Sequence, residues 1–295
     1  MPTSPTLTGY LAAWVIVFVW AFWLIVSRVA ESSGLTIYDL AALRYGLAAC
    51  VALPICLIWK PWRGMSLIRT AVIAFILGPV YILCVFAGFL FAPASHGGIF
   101  MNGVLPLFSI GFGLILYGLV PGRRQLIGAG VIAVSAVVLV WEAGQLGLAD
   151  AWIGDLLFLI GAAFFSVYVV LSERWQIGPL QILWCGTVIN AAIYLPIWAL
   201  WLPSGLAEAP VGPLMLQAVY QGFVPNLMGL LLIAHASRRI GTGNTASILA
   251  AVPGMGAVLG ALILGERIGG IGIAALVLLT VGLLIAVRRV PPQAA

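Results

Sequence analysis

The strongest constraint on this chain is a succession of apolar runs, each about as long as a bilayer is thick. A helix needs about 20 residues to cross the hydrocarbon layer. Runs of that length fall near 8–29, 38–59, 70–91, 98–119, 126–142, 153–172, 179–201, 213–234, 245–264 and 271–287. The connectors between them are too short to hold a soluble domain. Lipid offers no partner to a bare N–H or C=O, so such runs cross as helices. The expected class is an all-α polytopic membrane protein of ten transmembrane helices. Composition agrees: 7% of the 295 residues are charged, against roughly 25% in a soluble domain. The lipid bilayer is the expected partner.

The few charges are placed asymmetrically. With the amino end inside, one face receives Lys60, Arg63, Arg69, Arg123, Arg124, Arg174, Arg238, Arg239, Arg288 and Arg289. The other receives Arg28, Arg44 and Arg267 together with Glu31, Asp39, Glu142, Asp150, Asp155, Glu208 and Glu266. Excess Lys and Arg mark the cytoplasmic side, which makes both termini cytoplasmic. The net charge of +5 is spread singly or in pairs between apolar runs, so it reads as topology and not as a nucleic-acid surface. The first run is too long for a signal-peptide core and lacks a basic flank, so it is read as a retained span. Cys50, Cys56, Cys84 and Cys185 lie inside apolar runs without metal-ligand spacing. They read as core cysteines, and neither a metal nor a cofactor is expected.

One proline-bearing run occurs twice. Residues 102–118 read NGVLPLFSIGFGLILYG and residues 248–266 read ILAAVPGMGAVLGALILGE. Pro106 matches Pro253 and Gly118 matches Gly265 at one spacing. Pro54 matches Pro196, Pro79 roughly matches Pro225, and Ser27-Arg28 closes the first run much as Ser172-Glu173-Arg174 closes the sixth. The chain therefore divides into a five-helix repeat over 1–143, a second over 152–289 and a short cytoplasmic tail, 290–295. An odd number of crossings per repeat inverts the second half. Inverted repeats put a substrate site near the midplane between the halves.

On these features the chain resembles the EamA-type drug/metabolite transporter superfamily. The resemblance rests on the two five-span halves, the Pro106 and Pro253 spans, Gly265-Glu266-Arg267 with the following IGGIGIA, the early VWAFW, and ALRYG over 42–46. The first half departs from the pattern by lacking a glutamate after Gly118. Aromatic richness is similar to the aromatic amino acid exporter branch. The resemblance implies an inner-membrane, multi-pass exporter with alternating access. Its cavity would lie between the third, fourth, eighth and ninth spans, aided by the first and sixth.

No Asp, Glu, Lys or Arg is read at mid-span, where a charge costs at least about 2.5 kcal/mol and is normally functional. The expected cavity is therefore neutral. Arg28, Glu31, Asp39 and Arg44 read as ion pairs at the outer mouth, and His96 as an outer-loop histidine. Candidate substrate contacts are Asn102 and Asn226, whose amides both donate and accept, and the aromatic Trp20, Trp23, Tyr81, Phe165 and Tyr168, which suit an indole or phenyl group. Asn190, Thr187, Ser109 and Ser166 are weaker polar candidates. Pro79, Pro106, Pro225 and Pro253 are candidate kinks or hinges, each removing a backbone donor and freeing a carbonyl. Gly256 and Gly260 read as packing within a monomer. Trp59, Trp62, Trp141, Trp152, Trp198 and Trp201 read as an interfacial belt.

These readings exclude some functions. There is no HExxH, aspartate dyad or GxSxG for an enzyme, and no P-loop for a nucleotide-driven motor. A passive scaffold gives no reason for matched prolines in an inverted repeat. What remains is a carrier of a small amphipathic metabolite. Aromatic amino acids are the leading substrate, with other amino acids and drug-like or nucleotide-like metabolites as alternatives.

Overall fold

The computed structural model describes residues 5–287, except for the side chains of Pro5, Glu31, Asn226 and Leu230. Arg288, Arg289 and the tail 290–295 lie outside the described residues. Among those described there is no strand. The helices are α1, Pro5–Val29; α2, Ile37–Trp59; α3, Leu67–Phe91; α4, Ala94–Tyr117; and α5, Arg123–Gln145. They continue with α6, Ala151–Trp175; α7, Pro179–Trp201; α8, in pieces Val211–Gly222 and Gly229–Ile240; α9, Thr242–Leu264; and α10, Gly270–Ala286. Eight of them, α1 to α7 and α9, are long and apolar enough to cross a membrane by length and composition. Helix α10 is apolar but shorter, and α8 is split by a π turn, Val224–Met228.

The start of α2 is fixed by a capping box. The Thr36 side chain accepts from Asp39 N at 3.2 Å, and Asp39 Oδ2 accepts from Thr36 N at 2.9 Å, satisfying two otherwise orphaned donors. Asp39 is fully buried, and it also accepts from Gly205 N at 2.8 Å and Trp198 Nε1 at 3.0 Å. It thus ties the 202–206 loop to the helix start. The Asp39 carboxylate is spent on these contacts and not on an arginine at the mouth. Trp198 is half-buried by this contact, whereas Trp59, Trp141, Trp152 and Trp201 stay exposed.

The prolines sit where helices break. Helix α3 breaks at Leu77–Gly78, and Pro79 opens its second piece. Pro106 follows the π turn Gly98–Gly103, Pro225 lies within the π turn of α8, and Pro253 is the second residue of Val252–Leu259. Carbonyls freed at such breaks need other donors. Tyr45 OH donates to Leu77 O at 2.9 Å, and Asn190 Nδ2 donates to Ala74 O at 3.0 Å and Cys185 O at 3.1 Å. Buried Asn190 therefore staples the break in α3 to the π turn Trp184–Ile189 of α7 and does not face a cavity.

Helix pairings obey an exchange of the two halves. Helix α3 packs on α6 as α8 packs on α1. Helix α4 packs on α6 as α9 packs on α1, while α2 meets α7 and α5 meets α10. The duplicated caps agree. Gly118 and Gly265 both end their helices in the left-handed region, at φ 64° and 66°, which favours glycine. In each, the next amide reaches back six residues, Leu119 N to Gly113 O at 3.1 Å and Glu266 N to Gly260 O at 3.2 Å. Glu266 does something its counterpart Leu119 cannot: its Oε1 accepts from Ala94 N at 2.8 Å, at the start of α4.

Candidate functional site

A cavity of about 240 Å³ lies between the two halves. Seven sequence-predicted contacts line it together: Trp20 and Trp23 of α1, Tyr81 of α3, Asn102 of α4, Phe165 and Tyr168 of α6, and Thr187 of α7. Pro225 lines it from α8, while the side chain of the adjacent Asn226 lies outside the described residues. The aromatic wall is continuous on one side. Tyr81 and Phe165 have centroids 6.0 Å apart, and Phe165 meets Tyr168 edge-on at 5.2 Å. No hydrogen bond joins the Tyr81 hydroxyl or the Asn102 amide to another described residue. Both retain hydrogen-bonding capacity for whatever fills the space.

Trp23 is held instead of free. Its Nε1 donates to Gln221 Oε1 at 2.8 Å, and Gln221 Nε2 in turn donates to Ser27 Oγ at 3.2 Å and Gln217 Oε1 at 3.1 Å. This network locks α1 to α8. Beyond Trp23, Phe86, Phe89 and Phe158 form an aromatic plug, with Phe89 and Phe158 centroids 4.8 Å apart.

The cavity is built from positions that the two repeats share. At the spacing of Ser27 and Ser172, Trp20 corresponds to Phe165 and Trp23 to Tyr168. At the spacing of Pro54 and Pro196, Arg44 corresponds to Gly186 and Tyr45 to Thr187. All eight line the cavity. Its second helix was not foreseen as a contributor, its seventh had offered Thr187 as a weaker candidate, and no residue of the expected ninth helix lines it. Helix α9 packs behind α1, where Gly256 sits against Leu24.

Arg44 corrects the expectation of a neutral interior. The capping box puts it seven residues past Ile37, or about 10 Å along the helix at ~1.5 Å per residue. Half-buried, it lines the cavity with its guanidinium carbon 6.0 Å from the Trp23 ring centroid. Among the described residues no carboxylate pairs with it. Arg28 of the expected mouth cluster donates to Phe89 O, and the Glu31 side chain lies outside the described residues.

Other polar residues are buried away from the cavity. His96 is not a loop residue: it lies 3% exposed against Phe100, its Nδ1 2.7 Å from Asp155 Oδ1. Glu142 is buried near Gly269 and Gly272. Ser166 bonds back to Leu105 O at 3.3 Å as packing between α6 and α4. Cys56 and Cys185 are buried as expected, whereas Cys50 is exposed. No group of His, Cys, Asp and Glu among the described residues has the arrangement to hold a metal.

The sequence pattern of one family matches the chain twice, over residues 7–141 and 152–288, and so covers both halves of the cavity. The chain belongs to the EamA-like transporter family. No curated protein matches this EamA-like chain. A solved structure, described only as the crystal structure of a protein, is similar over 97% of this chain and 98% of that chain. Its TM-score is 0.60 at 20% identity, a likeness of fold.

Proposed function

We propose that this EamA-like transporter moves small aromatic, amphipathic metabolites, aromatic amino acids among them, across the inner membrane. The observation that carries the reading is the convergence of Trp20, Trp23, Tyr81 and Tyr168 with Asn102 on one cavity between equivalent halves. Offset or edge-on ring contacts each add about 0.5–1.5 kcal/mol to the burial of an aryl group. Bilayer-buried polar groups left free, the Tyr81 hydroxyl and the Asn102 amide, suit the polar end of the same molecule. A volume of about 240 Å³ falls just below the ~300–1,000 Å³ of drug-sized sites, which favours a metabolite over a bulky drug or nucleotide.

The transport cycle follows from ten crossings, with α8 and α10 completing the eight longer spans and the second repeat inverted relative to the first. Both termini are then cytoplasmic, as the Lys and Arg distribution requires. The chain acts as a monomer and not as an enzyme, and access alternates as the helices broken at Pro79, Pro106, Pro225 and Pro253 rock around the cavity. Counterflow in proteoliposomes tests this: preloaded tryptophan or phenylalanine should drive uptake of the labelled amino acid. Absence of exchange for every aromatic solute, with exchange for another class, overturns the reading.

A further inference from the structure

We infer that Arg44 anchors a carboxylate, and that the solutes taken by this cavity are aromatic monocarboxylates whose amino group is dispensable. The inference rests on the cavity being the substrate site.

An arginine this far into a membrane helix normally meets a carboxylate, a water-filled cavity or a passing ligand. Arg44 has the cavity and no carboxylate among the described residues. The Trp23 face, 6.0 Å away, is at the outer limit of a cation–π contact and accepts none of its N–H donors. Those donors form a planar fork that fits a carboxylate with two parallel hydrogen bonds. The counterpart of Arg44 in the second repeat is Gly186, which also lines the cavity. No second charged side chain therefore enters the cavity from the equivalent position, where Leu77 packs instead.

Charge accounting ranks the ligands. Among the described residues no acidic one lines the cavity, so the empty site carries one positive charge. An aryl carboxylate neutralises it. A zwitterionic amino acid leaves the net charge at one, and an aryl amine raises it to two. In a poorly solvated space each uncompensated charge is costly, so affinity should fall in that order. Asn102 and the Tyr81 hydroxyl can take part of an ammonium's hydrogen bonding but none of its charge.

The test uses purified full-length protein and displacement of tritiated tryptophan in a scintillation-proximity assay. The competitors are indole-3-propionate, tryptamine and indole, which share the ring and differ in the charged group. Indole-3-propionate should displace the label at least as well as tryptophan. Tryptamine and indole should be weaker by roughly ten- to a hundredfold, the range for losing a hydrogen-bonded charged partner. Arg44→Gln should bring indole-3-propionate and tryptamine to within a few fold of each other, and Arg44→Lys should retain part of the preference. If Arg44→Gln does not fold, the ranking on the unaltered protein decides alone. Tryptamine displacing as well as indole-3-propionate overturns the anchor while leaving the aromatic reading intact. Failure of labelled tryptophan and all the indoles to bind overturns both.

Discussion

Placing alanine at Gly154 opposes two forces whose sizes the structure sets. A Cβ there would lie 2.5 Å from Ala92 Cβ and 2.6 Å from Gly88 O, with Ala92 N at 3.0 Å. Carbon atoms pack at about 3.5 Å or more, so α3 and α6 would have to part by roughly 1 Å. None of the opposing atoms is the end of a flexible side chain. Overpacking of this kind costs about 1–3 kcal/mol. The higher helix propensity of alanine returns about 1 kcal/mol. Because no opposing atom can yield, the upper part of the overpacking range, about 2–3 kcal/mol, applies, and the net expectation is a loss of about 1–2 kcal/mol, or roughly 2–8 °C in melting temperature at ~2–4 °C per kcal/mol. Gly9, the equivalent residue of α1, is the internal control. Its Cβ would meet Arg239 Cβ at 2.6 Å, which is fixed to the backbone, but Ile240 Cγ2 at 2.7 Å is a side-chain atom that can yield and Ile240 N stands off at 3.5 Å, so Gly9→Ala should cost less. Melting of the two variants in detergent, followed by fluorescence-detected size exclusion, measures the difference. Gly154→Ala melting at or above the unaltered protein would refute the close approach of α3 and α6.

Three further outcomes are expected. Tyr81→Ala and Asn102→Ala should each lower tryptophan counterflow several-fold without loss of folded protein, since neither side chain bonds to another described residue; normal rates in both remove them from the site. Asn190→Ala should destabilise by about 1–2 kcal/mol, for two hydrogen bonds at ~0.6 kcal/mol on average and up to ~1.7, and a melting curve unchanged from the parent speaks against the staple. His96→Phe and Asp155→Ala should be non-additive in a double-mutant cycle by about 0.5–3 kcal/mol, because each removes the other's buried partner; additive losses would mean that the pair does not interact.

Hydropathy and proline spacing were enough to locate the helices and the repeat, because these depend on local sequence and period, while side-chain chemistry singled out seven of the residues that line the cavity. The cavity's charge was harder to read. Arg44 lies near enough to the start of its apolar run to pass for a mouth residue. The helix starts at Ile37, one residue before the expected run, so the distance of Arg44 along the helix was legible, whereas its place on the cavity lining was not. ALRYG already held the signal, since a capping box seven or so residues earlier sets an arginine two turns inside. Asp39, Asp155 and His96 misled in a related way. All three lie near run ends and read as solvated, yet chain from distant parts of the sequence covers them, as Gly205 and Trp198 cover Asp39. The Gln217–Gln221 network was legible only as two polar residues one turn apart, with nothing to say that α1 lay opposite.

The pairing of Arg44 with Gly186 bears on the two ends of a transport cycle. A carrier made of equivalent halves would present near mirror-image vestibules to either side of the bilayer, and a solute would meet equal affinity from each. A guanidinium on one half alone removes that equality. Under the proposed rocking, the charge would move closer to water on one side than on the other, so half-saturation from inside and from outside should differ even when no gradient drives the flow.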